Sequence, residues 1–182
     1  MPNDDVVSLL EQQHAQIREL FATVRSATGE PRKRAFDDLR RLLAVHETAE
    51  ELVVHPSARR HGANDVVDAR LAEEHDAKEV LSELIGMEVG DAGFDERFQA
   101  LETMVLDHAE GEEREEFPHL RAHAGTTELA LMAKAVQAAQ AFAPTRPHPG
   151  VESMTLNLAL GPIASVVDRT RDAVQAVLDR RA

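Results

Sequence analysis

Hydrophobic residues recur every three or four positions along most of this chain, and no stretch shows the period of two expected of a β-strand. The clearest stripe comes first, where Val7, Leu10, Ile17, Phe21 and Val24 fall on one face of a helix. Glycine and proline separate this stripe from three others of similar length. The pattern predicts four long helices, over residues 4–27, 31–56, 64–87 and 94–118.

The links after the first and third of these helices are short, so consecutive helices should be antiparallel neighbours. We therefore predict an all-α fold, an up-down-up-down antiparallel four-helix bundle over residues 1–125 with additional C-terminal helices. Residues 126–182 are expected to form a helical extension that contains a proline-rich loop at 143–150. Its last amphipathic helix, after Pro162, is expected to pack either on the bundle or on a second copy, as a homodimer.

Polar residues interrupt these stripes where a core needs apolar side chains. His14 lies in the gap between Leu10 and Ile17, and the stripe of the second helix continues into His46 and Glu50. A buried carboxylate one turn after a buried histidine is costly unless another group compensates both. The fourth helix repeats this arrangement with His108 and Glu112.

The third helix carries the same i, i+4 pair, in which His75 and Glu79 follow Leu71. A single buried histidine is usually a satisfied core residue, but that interpretation would have to hold for four helices at once. Four imidazoles and up to three carboxylates that meet inside a bundle form a ligand set suited to iron or manganese, and large enough for two metals. The predicted metal ligands are His14, His46, Glu50, His75, Glu79, His108 and Glu112.

An internal repeat supports this prediction. The segment HETAEELVVHP at 46–56 aligns with HAEGEEREEFP at 108–118, and His14 aligns with His75 at nearly the same offset. Each half of the bundle is thus a similar hairpin, and an approximate two-fold axis would bring both to a shared centre. Gly111, just before Glu112, either leaves room for a bridging oxygen or an exogenous ligand, or permits close helix packing.

Composition narrows the functional classes further. The formal net charge of −13 argues against nucleic acid or an anionic membrane as a partner, and the absence of cysteine excludes disulfides and thiolate metal sites. No apolar run approaches the length of a membrane helix, and the N-terminus lacks a signal-peptide pattern. A cytoplasmic protein is expected.

The order of these motifs, H-HxxxE-HxxxE-HxxxE on four helices over residues 4–123, resembles the hemerythrin-like (HHE cation-binding) family, in particular its longer bacterial members. The resemblance implies a non-haem centre of two Fe ions with a bridging oxygen, with Mn or Zn as substitutes. Carried over, His14 and His46 would bind one iron, and His75 and His108 the other. Glu50 and Glu112 would be the bridging carboxylates.

Two positions depart from relatives of this kind. Hemerythrins proper have a histidine where this chain has Glu79, and the carboxylate makes the site harder, which favours Fe(III) over simple reversible oxygen carriage. Some longer relatives have an iron-binding tyrosine where this chain has His55. His55 lies more than two helical turns past His46, so it either ligates iron or faces solvent at a helix end.

The remaining polar residues are predicted to lie beside the metal site without binding the metal, or on the surface. Lys78 falls near the buried side of the third helix. It either acts near the site, by pairing with a carboxylate such as Glu47, Glu74 or Glu113 or by donating to a bound oxygen species, or extends its head to solvent. The acidic run 110–116 is predicted to be a solvated face apart from Glu112. Surface positions are predicted for His61, His119, His123 and His148.

A centre of this kind serves small molecules, namely O2, hydrogen peroxide or nitric oxide. The favoured function is an enzyme that removes hydrogen peroxide, as a catalase does, or reacts with nitric oxide, although the sequence leaves the choice between enzyme and binding protein open. The alternative is a carrier or sensor of O2, NO or iron without turnover. A structural protein with an incidental metal site is the third option, which the acidic charge does little to support.

Overall fold

The computed structural model of the protein describes residues 5–142, 168, 171–172 and 174–176. Seven α-helices lie within 5–142, and two short π-helical segments, π1 and π2, interrupt them. In chain order the elements are α1 (Val6–Ser26), α2 (Gly29–Ala49), π1 (Glu50–Val54), α3 (His55–Arg60), α4 (Asn64–Ile85), α5 (Phe94–Gly111), π2 (Glu112–Glu116), α6 (Phe117–His123) and α7 (Thr126–Phe142). The described residues contain no strand, and the predicted all-α bundle is confirmed.

Local signals explain where the first and fourth bundle helices begin. The Asp5 carboxylate caps α1 by accepting a hydrogen bond of 2.8 Å from the backbone N–H of Ser8. Helix α5 follows Gly93, whose φ of 87° lies in the left-handed region that favours glycine. Gly93 ends the link that places α5 against α4, and the short link at Ala27–Thr28 places α2 against α1.

The second and fourth helices of the bundle each contain a widened turn. α2, π1 and α3 form one such helix, and α5, π2 and α6 form the other. The N–H of His55 donates to the carbonyl of Glu50, and that of Phe117 to the carbonyl of Glu112, so both bonds follow the i to i+5 pattern. Pro56 and Pro118 come next. A proline ring clashes with the carbonyl one turn earlier, and a π-turn relieves this by adding one residue to the turn.

Two apolar clusters lie at opposite ends of a polar layer inside the bundle. One cluster holds four mutually packed phenylalanines, Phe21, Phe36, Phe94 and Phe98. The other lies beneath α7 and includes Val7, Leu10, Val54, Phe117 and Leu120. Along α1 the histidine of the polar layer falls between the two clusters, so the layer is closed by apolar side chains on both sides.

The described part of the C-terminal extension lies on the bundle. Helix α7 packs against α1, α2 and π1, and it contributes Leu129, Met132 and Val136 to the second apolar cluster. Residues 168, 171–172 and 174–176 are helical, and Val174 joins the same cluster. The predicted loop at 143–150 and most of the predicted last helix lie outside the described residues. Among the described helices, none combines the length and apolar character that a membrane crossing requires.

We predict that Phe98→Ala lowers the free energy of unfolding by about 3–5 kcal/mol, because it removes a ring from a packed aromatic cluster. Phe98 is 2% exposed, and its ring centroid lies 5.3 Å from that of Phe21. Urea denaturation measures the loss. The control is Met104→Ala at a side chain that is 36% exposed, with an expected change below about 0.5 kcal/mol. Equal losses for the two variants would contradict this assignment of the core.

Candidate metal centre

The polar layer brings together eight histidine and glutamate side chains, none more than 6% exposed. They come from helices α1 to α5 and from both π segments, and they are His14, His46, Glu50, His55, Glu74, His108, Glu112 and Glu116. Three sets among them place their ligand atoms within 4.8 Å of one another. Glu50 belongs to a set with His14 and His46 and to a second with His108, so the sets are joined through shared carboxylates.

The first set has its donor atoms converging on one point. The Nε2 atoms of His14 and His46 lie 3.1 Å apart. Glu112 Oε2 lies 3.3 Å from Nε2 of His14, and Glu50 Oε2 lies 3.3 Å from Nε2 of His46. Two imidazole nitrogens and two carboxylate oxygens at these separations form a set of four donors that a single cation can share.

Three of the histidines are oriented by a hydrogen bond made by Nδ1, on the side of the ring away from the centre. The acceptors are oxygens of two carboxylates and one amide, which hold the ring proton on Nδ1 and leave the Nε2 lone pair facing the centre. The three pairs are His14 with Glu113 (2.8 Å), His46 with Gln13 (2.7 Å) and His108 with Glu73 (3.1 Å).

The central acceptors have no such partners. Both carboxylate oxygens of Glu50, both of Glu112, and Nε2 of His108 are buried without a hydrogen bond among the described residues. Burial raises the pKa of Glu50 well above its usual value, and the neighbouring charge of Glu112 adds to this. Burial likewise lowers the pKa of His46 well below its usual value. Each orphaned group costs about 1–3 kcal/mol, and bound cations would satisfy all of them, so the residues fit a metal site.

The third bundle helix does not present the predicted pair. His75 and Glu79 lie 3.6 Å from each other on the surface, with side chains 74% and 71% exposed, so the prediction that they face the centre is wrong. Helix α4 instead buries Val67, Ala77 and Leu84, a register in which Glu74 points inward. The apolar residues decide this, because the alternative register through Leu71 would expose Val67 and Leu84.

Glu74 therefore occupies the position on α4 that His14 has on α1, which His75 was predicted to hold. Its Oε1 accepts a hydrogen bond of 2.7 Å from His55 Nε2, and its Oε2 lies 2.9 Å from Lys78 Nζ. The hydrogen bond to His55 and the charges of His55 and Lys78 outweigh burial and lower the pKa of Glu74. The sequence offers a signal for this register, since the pair Val7 and Val24 on α1 aligns with the pair Val67 and Leu84 on α4 when His14 is set against Glu74.

His55 lies in the polar layer and does not face solvent. From His46 to His55 a regular α-helix would turn about two and a half times, which would set His55 opposite His46, but π1 absorbs one residue and returns it to the inner face. Its Nδ1 donates to Glu116 Oε1 at 2.9 Å, and its Nε2 donates to Glu74. Burial alone would lower the pKa of His55, but these two carboxylates raise it to about 10.

The acidic run 110–116 is buried at more positions than predicted. Glu116 is fully buried instead of solvated, because it lies one helical turn after Glu112 on the same inward face. At Gly111 a Cβ atom would lie 1.3 Å from Nη1 of Arg70, so a buried guanidinium fills the space beside the glycine. The Arg70 side chain of α4, rather than the backbone of a closely packed helix, thus occupies the space beside Gly111.

Lys78 pairs with carboxylates, as one of its two interpretations predicted. Its Nζ lies 3.3 Å from Glu47 Oε2 and 2.5 Å from Glu51 Oε1, in addition to its contact with Glu74. Glu113, the third suggested partner, instead accepts hydrogen bonds from His14 and Arg18. Burial raises the pKa of Glu47 to about 8, although Lys78 opposes the shift.

Comparisons with known proteins identify the family of this chain. No curated protein matches the sequence. A crystal structure of a hemerythrin HHE cation binding domain-containing protein from Mycobacterium kansasii, a Rv2633c homolog, is similar in fold, with a TM-score of 0.67 at 19% sequence identity. The match covers 98% of this chain and 99% of that chain. The family described as "Hemerythrin HHE cation binding domain" matches residues 5–120. The chain therefore belongs to the hemerythrin HHE cation-binding family.

Proposed function

We propose that the polar layer binds two iron ions. The observation that carries this is the pair Glu50 and Glu112, whose four buried oxygens have no hydrogen-bond partner in the described structure and which are shared between the sets of donors. A carboxylate shared by two sets can bridge two cations, whereas one cation would leave the remaining donors unsatisfied. The mixed nitrogen and oxygen donors suit iron, and manganese or zinc would be accommodated by the same atoms.

We assign the two positions to opposite halves of the bundle. His14 and His46 would hold one cation, and His108 and Glu74 the other, with Glu50 and Glu112 between them. His75 has no part in this assignment because its side chain is exposed. His55 would join the ligands only after its Nε2 gives up the hydrogen bond to Glu74.

The reaction that we propose is the disproportionation of hydrogen peroxide. Four buried carboxylates face four histidines in this layer, and such a carboxylate-rich site favours Fe(III). Glu79 does not contribute to this carboxylate character, since its side chain is on the surface, but Glu74 and Glu116 supply buried carboxylates in its place. Two irons bound here would supply the two-electron redox couple that the conversion of two peroxides to water and O2 requires.

The chain's own contribution is to orient the donors and to limit access. The hydrogen bonds at Nδ1 hold three imidazoles with Nε2 towards the centre. The ring of Phe117 stacks on that of His14, with centroids 5.6 Å apart and planes 15° from parallel, and it closes the layer towards the α7 side. Enclosure on this side suits a reaction of small molecules such as H2O2, O2 or NO.

Reversible binding of O2 or NO is the second candidate function. The observation in its favour is the imidazole-rich half of the layer, where Nε2 of His14 and Nε2 of His46 lie side by side. Imidazole stabilises Fe(II) better than carboxylate does. An O2 adduct of the reduced protein that releases O2 under vacuum, without O2 evolution from peroxide, would favour a carrier over the enzyme.

We predict that the purified protein contains two irons per chain and that His46→Ala loses at least one of them, because it removes a donor from the centre. His75→Ala is the matched control on an exposed histidine and should keep both irons. Elemental analysis of iron per chain measures this. The site assignment would be wrong if His75→Ala lost iron while His46→Ala retained it.

We also predict that Glu74→Gln lowers peroxide turnover about 10-fold or more, since it removes a charge from the centre but keeps the shape of the side chain. Glu79→Gln makes the same chemical change further along α4, on its surface, and should leave turnover within about two-fold. O2 evolution from hydrogen peroxide, normalised to iron content, gives both rates. Equal loss in the two variants contradicts the register of α4, and no O2 evolution by the iron-loaded parent protein contradicts the proposed reaction.

A further inference from the structure

The two halves of the bundle repeat each other closely enough to compare the surroundings of each histidine. α4 is the counterpart of α1, and π2 with the helix before it is the counterpart of π1 with α2. His46 and His108 are thus equivalent. So are the residues that accept their Nδ1 protons, Gln13 for His46 and Glu73 for His108. The same hydrogen bond ends on a neutral amide in one half and on a carboxylate in the other.

A buried arginine accompanies the carboxylate. Arg70 is 6% exposed, and at the equivalent position α1 has Leu10. Its Nη2 lies 3.1 Å from Glu73 Oε1, while Glu73 Oε2 accepts the proton of His108 Nδ1. Arginine and imidazole therefore hold opposite oxygens of one carboxylate, which fixes its orientation.

The space that the Arg70 side chain occupies is also found in only one half of the bundle. Gly111 has Ala49 as its equivalent in the other half, and a methyl group at Gly111 would overlap Nη1 of Arg70. Arg70 Nη1 also approaches the carbonyl of His108 at 3.5 Å, and Nη2 lies 3.8 Å from Glu115 Oε2. The glycine thus permits the arginine to lie beside the helix turn that carries His108.

A carboxylate behind a metal-binding imidazole does two things that an amide does less well. It fixes the ring orientation, and its negative charge increases the basicity of the nitrogen on the other side of the ring. Nε2 of His108 faces the centre without a hydrogen-bond partner in the described part of the chain. The added basicity is therefore available to a cation there.

We propose that Glu73, held by Arg70 in the space beside Gly111, is a positioning residue that strengthens His108 as a metal ligand, so that the two halves of the site bind their cations with unequal affinity. This inference rests on the proposed two-cation site. It concerns residues of one half only, because the other half has Gln13, Leu10 and Ala49 in the same places.

Zinc(II) is a suitable probe because it suits the same donors and is diamagnetic. We expect Glu73→Gln to weaken one of two zinc-binding steps by about 10- to 100-fold and to leave the other unchanged. The matched control is Glu115→Gln, which removes the same charge near the same arginine, lies on a side chain that is 41% exposed, and does not contact His108. Titration of the metal-free protein against a chelator of known affinity resolves the steps.

Gly111→Ala gives a second route that changes no charge. It should displace Arg70, release Glu73, and weaken the same zinc step as Glu73→Gln. In the zinc-loaded protein, the Nδ1–H proton of His108 should give a slowly exchanging NMR signal that shifts in both variants and stays in place in Glu115→Gln. A purely structural role for Glu73 would lower the melting temperature without moving this signal.

The outcomes separate the inference from the proposed function. Parent protein that binds fewer than two zinc ions overturns the two-cation site, and the His108 signal then still tests whether Glu73 orients the ring. Parent protein with two zinc steps, together with Glu73→Gln that retains both affinities and the signal, overturns the inference alone.

Discussion

Glu50 and Glu112 lie at the centre of the bundle with all of their oxygens buried and unbonded among the described residues, and the rest of the structure is arranged around them. Two carboxylates in an apolar interior repel each other and lack solvent, so they are tolerated only if cations or protons neutralise them. The imidazoles beside them have their lone pairs aimed at the same place. The aromatic cluster and the cluster under α7 then keep water away from both sides. Cation binding accounts for this arrangement better than packing does.

Much of the fold was accessible from the spacing of apolar residues, because a bundle helix has one long apolar stripe and its ends carry glycine, proline or a capping aspartate. The candidate ligands on α1, α2 and α5 were predicted for the same reason, since His14 falls in a gap in an otherwise apolar stripe. On α4 two registers compete, one through Val67 and Leu84 and one through Leu71. The register through Leu71 would have turned His75 and Glu79 inward, one turn apart. The structure has the other register, because it buries Val67 and Leu84.

The π-turns explain what the sequence pattern missed. Regular helix geometry sets His55 opposite His46 and away from the centre, and only the extra residue in the turn rotates it inward. The prolines that follow each turn were visible in the sequence as a repeat, but a proline can break or kink a helix as readily as widen it. The inward position of His55 could therefore be recognised only from the structure.

The repeat produces two similar halves whose differences are chemical. His46 and Glu50 have the same residue types at their equivalent positions, His108 and Glu112, but other equivalent positions differ. The differing pairs are His14 and Glu74, His55 and Phe117, Gln13 and Glu73, and Leu10 and Arg70. The result is a centre with one imidazole-rich and one carboxylate-rich side, joined by Glu50 and Glu112. Two cations bound at the proposed positions would therefore differ in affinity and in preferred oxidation state.

The position of the metal tests this account most directly. Anomalous diffraction measured at the iron absorption edge, on crystals of the protein as purified, locates every iron without reference to activity. The account predicts two peaks inside the bundle, one beside Nε2 of His14 and His46 and one beside Nε2 of His108, with Glu50 and Glu112 between them. A single peak, or iron held at the surface by His75 and Glu79, would contradict it.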